Sequence, residues 1–284
     1  MEDFSLKIYD VPDLQDKINK AIKILKLAEL QAKKFNEPVE IAFSGGKDSS
    51  VLLDLAKRSG INYRAIYKNT TIDPPGTKKF VIDNKVEIIT PKISFFDLIK
   101  KKGYPSFTRR FCCKFLKEYK ILNTCCTGVR KDESQKRRKR YKSFEECRIY
   151  SKKNRVRMFY PILDFTQKDI ERYIKQNNIK CAPIYYKNGV FDVNIRLGCC
   201  GCPLKTDRGL KDFKENPKLL KAWLKAGKVY SENHKTRFKD HYEAFICLVF
   251  FKSFEEFEYS KSCGLFNDTY DCKKKIEEIF NVKL

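Results

Sequence analysis

Histidine is almost missing from this chain: His234 and His241 are the two among 284 residues. A zinc site built on several imidazoles and a nucleophile–histidine–carboxylate triad both need more, so neither is expected. Long apolar runs are missing too. The longest, AFICLVFF from Ala244 to Phe251, falls far short of the roughly 20 residues that a membrane-spanning helix needs. The first residues, MEDFSLKIYD, carry acidic groups where a secretory signal carries basic ones, with no apolar stretch behind them. Internal repeats and low-complexity linkers are absent as well. These absences predict a soluble, cytoplasmic protein with no membrane association. Thiols stay reduced in that compartment, so the 12 cysteines point to metal binding or redox chemistry rather than to a disulfide framework. Acidic residues are also scarce beside basic ones, 36 against 60, which leaves a formal charge of +24. Such an excess suits a polyanionic partner such as tRNA or DNA. The plentiful Lys, Ile, Asn, Phe and Tyr are equally what an AT-rich coding sequence produces.

With 42% hydrophobic residues, the chain is long enough for one large domain with an appendage, or two small ones. Apolar residues at Leu14, Ile18, Ile22, Leu25, Ala28 and Ala32 recur at helical spacing and predict an amphipathic helix. PVEIAFSGGKDSSVLLDLAKRSG then reads as strand, glycine-rich loop and helix, with Gly60 as the stop. YRAIYKNTT and VEIITP read as buried strands separated by short connections. KILNTCCTGVR reads as another strand followed by a helix, with Cys125 and Cys126 in the core. MFYPILDFTQKDIERYIKQNNI gives a strand and then a helix capped by Thr166, with Asp169 three positions on. Strands alternating with helices predict an open, mostly parallel α/β sheet, whose ligands bind at the carboxyl ends of the strands. From about Thr206 the pattern turns helical and aromatic, around Trp223.

The loop IAFSGGKDSS is rich in backbone N–H groups and opens a helix. Amides of Gly45, Gly46 and the following residues can converge on an anion, aided by the positive end of the helix. Lys47 adds a mobile charge, and Ser44 and Ser49 add hydroxyls. The Walker spacing is absent, since Lys47 is followed by Asp48, so this is a phosphate or sulfate cradle of another kind. Thr71 and Asp73 follow the second strand, where a carboxylate meets a ribose hydroxyl or a metal-bound water. Arg109, Arg110, Arg130 and Arg137 supply guanidinium groups suited to phosphate or sulfate oxygens. The run RKDESQKRRKRYK also reads as a plain solvated helix face. Five cysteines form two tight groups, Cys112 with Cys113, and Cys199, Cys200 and Cys202. Thiolates serve both iron–sulfur clusters and tetrahedral zinc.

The segments SGGKDS, NTTIDPPG, RRFCCKFLK, TGVRKDESQKR and RLGCCGCPL, with PILDFTQKDI between the last two, resemble in this order the phosphoadenosine phosphosulfate (PAPS) reductase family of the PP-loop superfamily. The resemblance covers roughly residues 37–205. It implies a Rossmann-like sheet of the adenine nucleotide α-hydrolase-like kind, flanked by a helical segment at 1–36 and a helical appendage at 206–284. It implies nucleotide binding by Ser44, Gly45, Gly46, Lys47, Asp48, Ser49, Thr71, Asp73, Arg109, Gly128, Arg130 and Arg137, with magnesium accompanying the nucleotide. Cys112, Cys113, Cys199 and Cys202 resemble the 4Fe-4S pattern of the adenylyl sulfate reductases, with zinc as the alternative. Sulfonucleotide reductases carry a C-terminal Glu-Cys-Gly-(Leu/Ile)-His motif. KSCGLFND matches it at Cys263, Gly264 and Leu265, with Ser262 for Glu and Phe266 for His. Lys47, Asp48 and Cys263 are the expected catalytic residues.

Three functions follow. The first is thiol-dependent reduction of adenylyl sulfate or PAPS to sulfite, with a thioredoxin-like partner. The second is an ATP pyrophosphatase that adenylates tRNA or DNA for sulfur insertion, which the basic balance favours. The third is a non-catalytic nucleotide- or nucleic-acid-binding module.

Overall fold

The computed structural model describes residues 13–151, 154–262 and 271–284. Its helices and strands, in chain order, are α1 (Leu14–Lys33), β1 (Val39–Ala42), α2 (Lys47–Ser59), β2 (Tyr63–Lys68), α3 (Thr77–Asp83), β3 (Glu87–Ile89), α4 (Phe95–Lys102), α5 (Phe111–Leu116) and β4 (Thr124–Thr127). There follow α6 (Gln135–Arg140), β5 (Glu145–Ser151), β6 (Asn154–Phe159), α7 (Gln167–Gln176), β7 (Tyr186–Lys187), β8 (Val190–Phe191), α8 (Leu210–Glu215), α9 (Pro217–Asn233), α10 (His241–Phe250), α11 (Phe254–Ser262) and α12 (Cys272–Phe280). Among these residues no helix is long and apolar enough to cross a membrane.

The six-stranded sheet has the order β3-β2-β1-β4-β6-β5. β1 lies parallel to both β2 and β4, and β4 lies parallel to β6. The chain therefore leaves β1 toward one side of the sheet and later returns to build the other. Loops after β1 and β4 flank a topological switch point, where open α/β sheets bind ligands. Two expectations need correction. The strands YRAIYK and VEII are joined through α3 rather than by short connections, because parallel neighbours require a crossover. The antiparallel edge strand β5 was not expected at all. Its segment EECRIYS lacks a clean apolar alternation, and an edge strand can leave Ile149 67% exposed.

Cα packing divides the chain into two compact units. The first comprises residues 1–67, 79–87 and 120–196. In it α1 buries Leu14, Ile18, Ala21, Leu25, Ala28 and Ala32, a stripe at helical spacing. α7 carries the expected capping box between Thr166 and Asp169. The same Asp169 carboxylate accepts from Lys17 Nζ of α1 at 2.6 Å, so one oxygen both caps a helix and ties it to its neighbour. Burial opposes the charge on Asp169, but hydrogen bonds from Lys17 and Thr166 outweigh it and hold the carboxyl below its usual range.

The second unit comprises residues 68–78, 88–119 and 197–284. Its core is aromatic. Trp223 of α9 packs on Phe95 with ring centroids 5.0 Å apart and edge-on to Phe213 at 5.3 Å, while Phe245 of α10 meets both Phe213 and Tyr104 at 5.4 Å. Each such pair adds about 0.5–1.5 kcal/mol beyond the burial itself.

Candidate functional site

In the first unit the turn after β1 builds the loop. Gly45 takes φ 77°, a left-handed conformation that favours glycine. Gly46 precedes α2 without a side-chain cap, and loop hydroxyls meet the amides instead. Ser44 Oγ accepts from the Gly46 amide at 3.3 Å, and Ser49 Oγ accepts from the Ser44 amide at 3.2 Å while donating to the Gly46 carbonyl at 2.8 Å. Lys47 is buried at 4% exposure, and its Nζ donates to the Ile195 carbonyl at 3.4 Å and lies 3.6 Å from Asp48 Oδ2.

The loop after β4 closes on this one. A Cβ at Gly128 would lie 3.1 Å from the Asp48 carbonyl carbon and 3.3 Å from the Ser49 amide, so glycine lets the two backbones approach. Arg130 follows, fully buried, with Nε donating to Asp48 Oδ1 at 2.7 Å and Nη1 to the Phe165 carbonyl at 3.3 Å. It is thus an internal brace of the loop rather than a solvent-facing arm. Arg137 is paired with Glu133, which also accepts from Arg196 at 2.9 Å. Tyr185, which no sequence motif marks, also belongs to the loop. Its hydroxyl accepts from the Lys47 amide at 3.1 Å, and its ring lies under Lys47 Nζ at 5.6 Å. No local pattern links positions 138 residues apart.

The second unit gathers the two cysteine groups, Cys112 with Cys113 and Cys199, Cys200 and Cys202. Cys112 and Cys113 lie at the start of α5, and the Cys112 thiol interacts with Cys113, Cys199 and Cys202. Gly201, between the latter two, takes φ 69° and leaves no room for a Cβ, which would sit 2.5 Å from the Phe213 ring. That turn brings the Cys202 amide to the Cys199 carbonyl at 3.4 Å. Cys113 is held well below the usual thiol range, chiefly by the hydrogen bond from Cys112 and further by the Lys117 and Arg110 charges. Cys112 is raised by the same hydrogen bond, burial and the neighbouring sulfurs. Burial pushes Cys202 up, and with Asp212 raises Cys200 to about 11. Lys117, which the sequence reading did not single out, lies beside Cys199, Cys113 and Asp73, and these raise its pKa.

Asp73 accepts from the Thr70 amide at 3.1 Å, and the Cys199 thiol lies 3.9 Å from its other oxygen. Thr71 takes φ 61° and accepts from the Phe95 amide at 2.8 Å. Arg109 is exposed, with Nη2 donating to the Lys102 carbonyl at 2.8 Å. Among the described residues no group of three or more His, Cys, Asp or Glu is drawn into a metal-binding arrangement. The donor chemistry nonetheless fits: four neighbouring half-buried thiols, with Lys117 and Arg110 beside them to offset thiolate charge. Cys125 and Cys126 are buried in β4, as expected of core residues. Cys263 lies outside the described residues.

A profile of the phosphoadenosine phosphosulfate reductase domain matches residues 38–205. An uncharacterised protein of Methanocaldococcus jannaschii is 30% identical over 243 residues, covering 79% of this chain and 55% of the relative. A second uncharacterised protein of that organism is 28% identical over 71% of this chain and 44% of its own length. The chain thus spans about half the length of these relatives. Among solved structures, the phosphoadenylyl-sulfate reductase of Candida auris in its phosphate complex is 17% identical, covers 60% of this chain and 87% of its own, and gives a TM-score of 0.43. The FMN adenylyltransferase of Candida glabrata is 13% identical, covers 61% of this chain and 58% of its own, and gives a TM-score of 0.44.

Proposed function

Because the chain belongs to the phosphoadenosine phosphosulfate reductase domain family, we propose that it is an enzyme whose β1–α2 loop holds the phosphates of an adenine nucleotide, and that it reduces adenylyl sulfate or PAPS to sulfite with electrons from thiols. The observation that carries this reading is the loop itself. Buried Lys47, hydroxyls of Ser44 and Ser49 at the uncapped end of α2, and the close approach of Gly128 together suit an oxyanion. Asp48, braced by Arg130, holds the loop in shape, and magnesium would accompany the phosphates. Thr71, Asp73, Arg109 and Arg137 remain proposed nucleotide contacts.

In the proposed reaction the Cys263 thiolate attacks the sulfate sulfur and the bond from sulfur to the bridging phosphate oxygen breaks. The nucleotide leaves and an S-sulfocysteine remains. An external dithiol of thioredoxin type then displaces sulfite and is itself oxidised to a disulfide. Cys112, Cys113, Cys199 and Cys202 would hold a 4Fe-4S cluster or, alternatively, zinc. Either group would keep the thiols ionised and fix α5 and the 199–202 turn on one centre.

A second reading is supported by a basic surface in the first unit. Between residues 131 and 160 the sequence holds 12 Lys and Arg against 4 Asp and Glu. Arg138, Lys139 and Arg140 of α6 and Arg155 of β6 are exposed. This favours an ATP pyrophosphatase that adenylates tRNA or DNA before sulfur insertion. A module that binds without turnover is the third outcome.

Anaerobic incubation with ATP, adenylyl sulfate and PAPS in parallel, with a dithiol reductant present, separates them. Sulfite from a sulfonucleotide is expected. Pyrophosphate from ATP alone would replace the first reading with the second, and binding without either product would leave the third.

A further inference from the structure

In the first unit most of the donors that the phosphate loop would offer are covered. Gly45, Gly46, Lys47 and Ser49 are all buried. Lys47 is held at both ends by one stretch of chain. Its amide, the first of α2, donates to the Tyr185 hydroxyl at 3.1 Å, and its ammonium donates to the Ile195 carbonyl at 3.4 Å. Amides at a helix start have no partner within the helix and are the donors with which it binds an anion. The Tyr185 oxygen, 3.4 Å from where a Cβ of Gly46 would lie, therefore sits where a phosphate oxygen belongs.

The covering stretch is lightly built. Tyr185 ends a single 3-10 turn, Pro183–Tyr185, and leads into a hairpin that pairs Tyr186 with Phe191 and Lys187 with Val190. Asn188 and Gly189 at its tip take φ 49° and 78°, the left-handed pair that a tight two-residue turn needs. This hairpin is a sheet of its own, apart from the six-stranded one, and leaves Tyr186 exposed and Val190 70% exposed. A hairpin this short is marginal by itself, so its position depends on anchors such as the Tyr185 hydroxyl.

Given that the loop holds a nucleotide, as proposed, we infer that Tyr185 is a latch on it. Its hydroxyl holds the loop closed, and the phosphates take the Lys47 amide from it and release residues 183–195. An anionic phosphate oxygen prevails over a hydroxyl at that amide, because the helix dipole and a charge-assisted bond both favour it. Release also frees the Lys47 ammonium from the Ile195 carbonyl to meet the same phosphates. The closed form lowers apparent affinity in proportion to the fraction of molecules that are open.

Isothermal titration calorimetry with ATP and adenylyl sulfate, on the parent and on Tyr185→Phe, reads the sign of the effect. Phenylalanine keeps the ring beside the Lys47 ammonium but leaves the Lys47 amide of the closed form unpaired, which favours opening. The nucleotide that binds should do so about two- to tenfold tighter in the variant, the weight of one hydrogen bond. Unchanged or weaker binding would overturn the latch while the nucleotide reading stands, because a residue that packs the site or touches the phosphates loses affinity when trimmed. Binding to neither protein would overturn that reading and the latch with it. Hydrogen exchange on the parent needs no variant: saturating ATP should speed deuterium uptake across residues 183–195. Uptake that holds steady or slows would mean that the hairpin keeps its place, and would also overturn the latch.

Discussion

Replacing Arg130 by methionine isolates the brace behind the loop. Methionine keeps most of the buried stem but removes the hydrogen bonds to Asp48 at 2.7 Å and to the Phe165 carbonyl at 3.3 Å. Breaking a buried pair typically costs about 3–5 kcal/mol, since the remaining charge has lost its closest partner, although Asp48 keeps Lys47 Nζ at 3.6 Å. The Asp48 side chain is 20% exposed, so water recovers part of that charge and the lower end, about 3 kcal/mol, applies. At roughly 2–4 °C per kcal/mol for a protein of this size, the melting temperature should fall by about 6–12 °C. Circular dichroism melts at pH 7 provide the assay. The double variant Arg130→Met/Asp48→Leu removes both charges and should recover at least half of the loss. A fall below 2 °C for the single variant, or no recovery in the double, would refute the view that a buried ion pair holds the loop.

Lys47→Ala should weaken nucleotide binding roughly ten- to a hundredfold, the range of one charge-assisted hydrogen bond, and calorimetry with ATP and adenylyl sulfate would read it. Gly128→Ala should push the Asp48–Ser49 backbone by a few tenths of an ångström and lower the same affinity, with unchanged affinity counting against the close approach. Asp169 titrates below its usual range, so its contribution to stability is complete at neutral pH and is lost as acid protonates it, below about pH 4. Urea midpoints from pH 7 to 3 should therefore fall less steeply in Asp169→Asn than in the parent. In metal-free protein the Cys112 hydrogen bond and the Lys117 and Arg110 charges favour the Cys113 thiolate, so iodoacetamide at pH 6.5 should label it faster than exposed Cys147. Peptide mapping reads the ratio, which should shrink as acid protonates the thiolate.

Much of the first unit was legible because local signals agree there. A period of 3.6 in α1, the change to strand and then to glycine at Gly45 and Gly46, and the Thr166–Asp169 box each depend on neighbours within a few residues. β5 was not legible, because a sheet edge lets charged and apolar side chains alternate loosely. The cysteine pairs announced themselves by spacing, and the structure brings the two groups together. The neighbours that set their charge, Lys117 and Asp73, come from separate stretches of chain, as does Tyr185 at the loop. Arg130 is another such case: residue type suggested a phosphate ligand, and the pairing of its buried guanidinium with Asp48, 82 residues away, is something no local pattern could have shown.

The three-piece make-up of the helical unit bears on how the chain must be made. Phe95 and Tyr104 share a core with Trp223, Phe245 and Phe280, which are synthesised far later. At about 5–20 residues per second on a ribosome, the wait between Phe95 and Phe245 is roughly 8–30 s. During that interval the early aromatic residues have no lid, and a nascent chain needs shielding from its neighbours. A fragment cut at residue 205 would never be relieved of that exposure, so expression of residues 38–205 alone should give aggregates where the full chain gives protein.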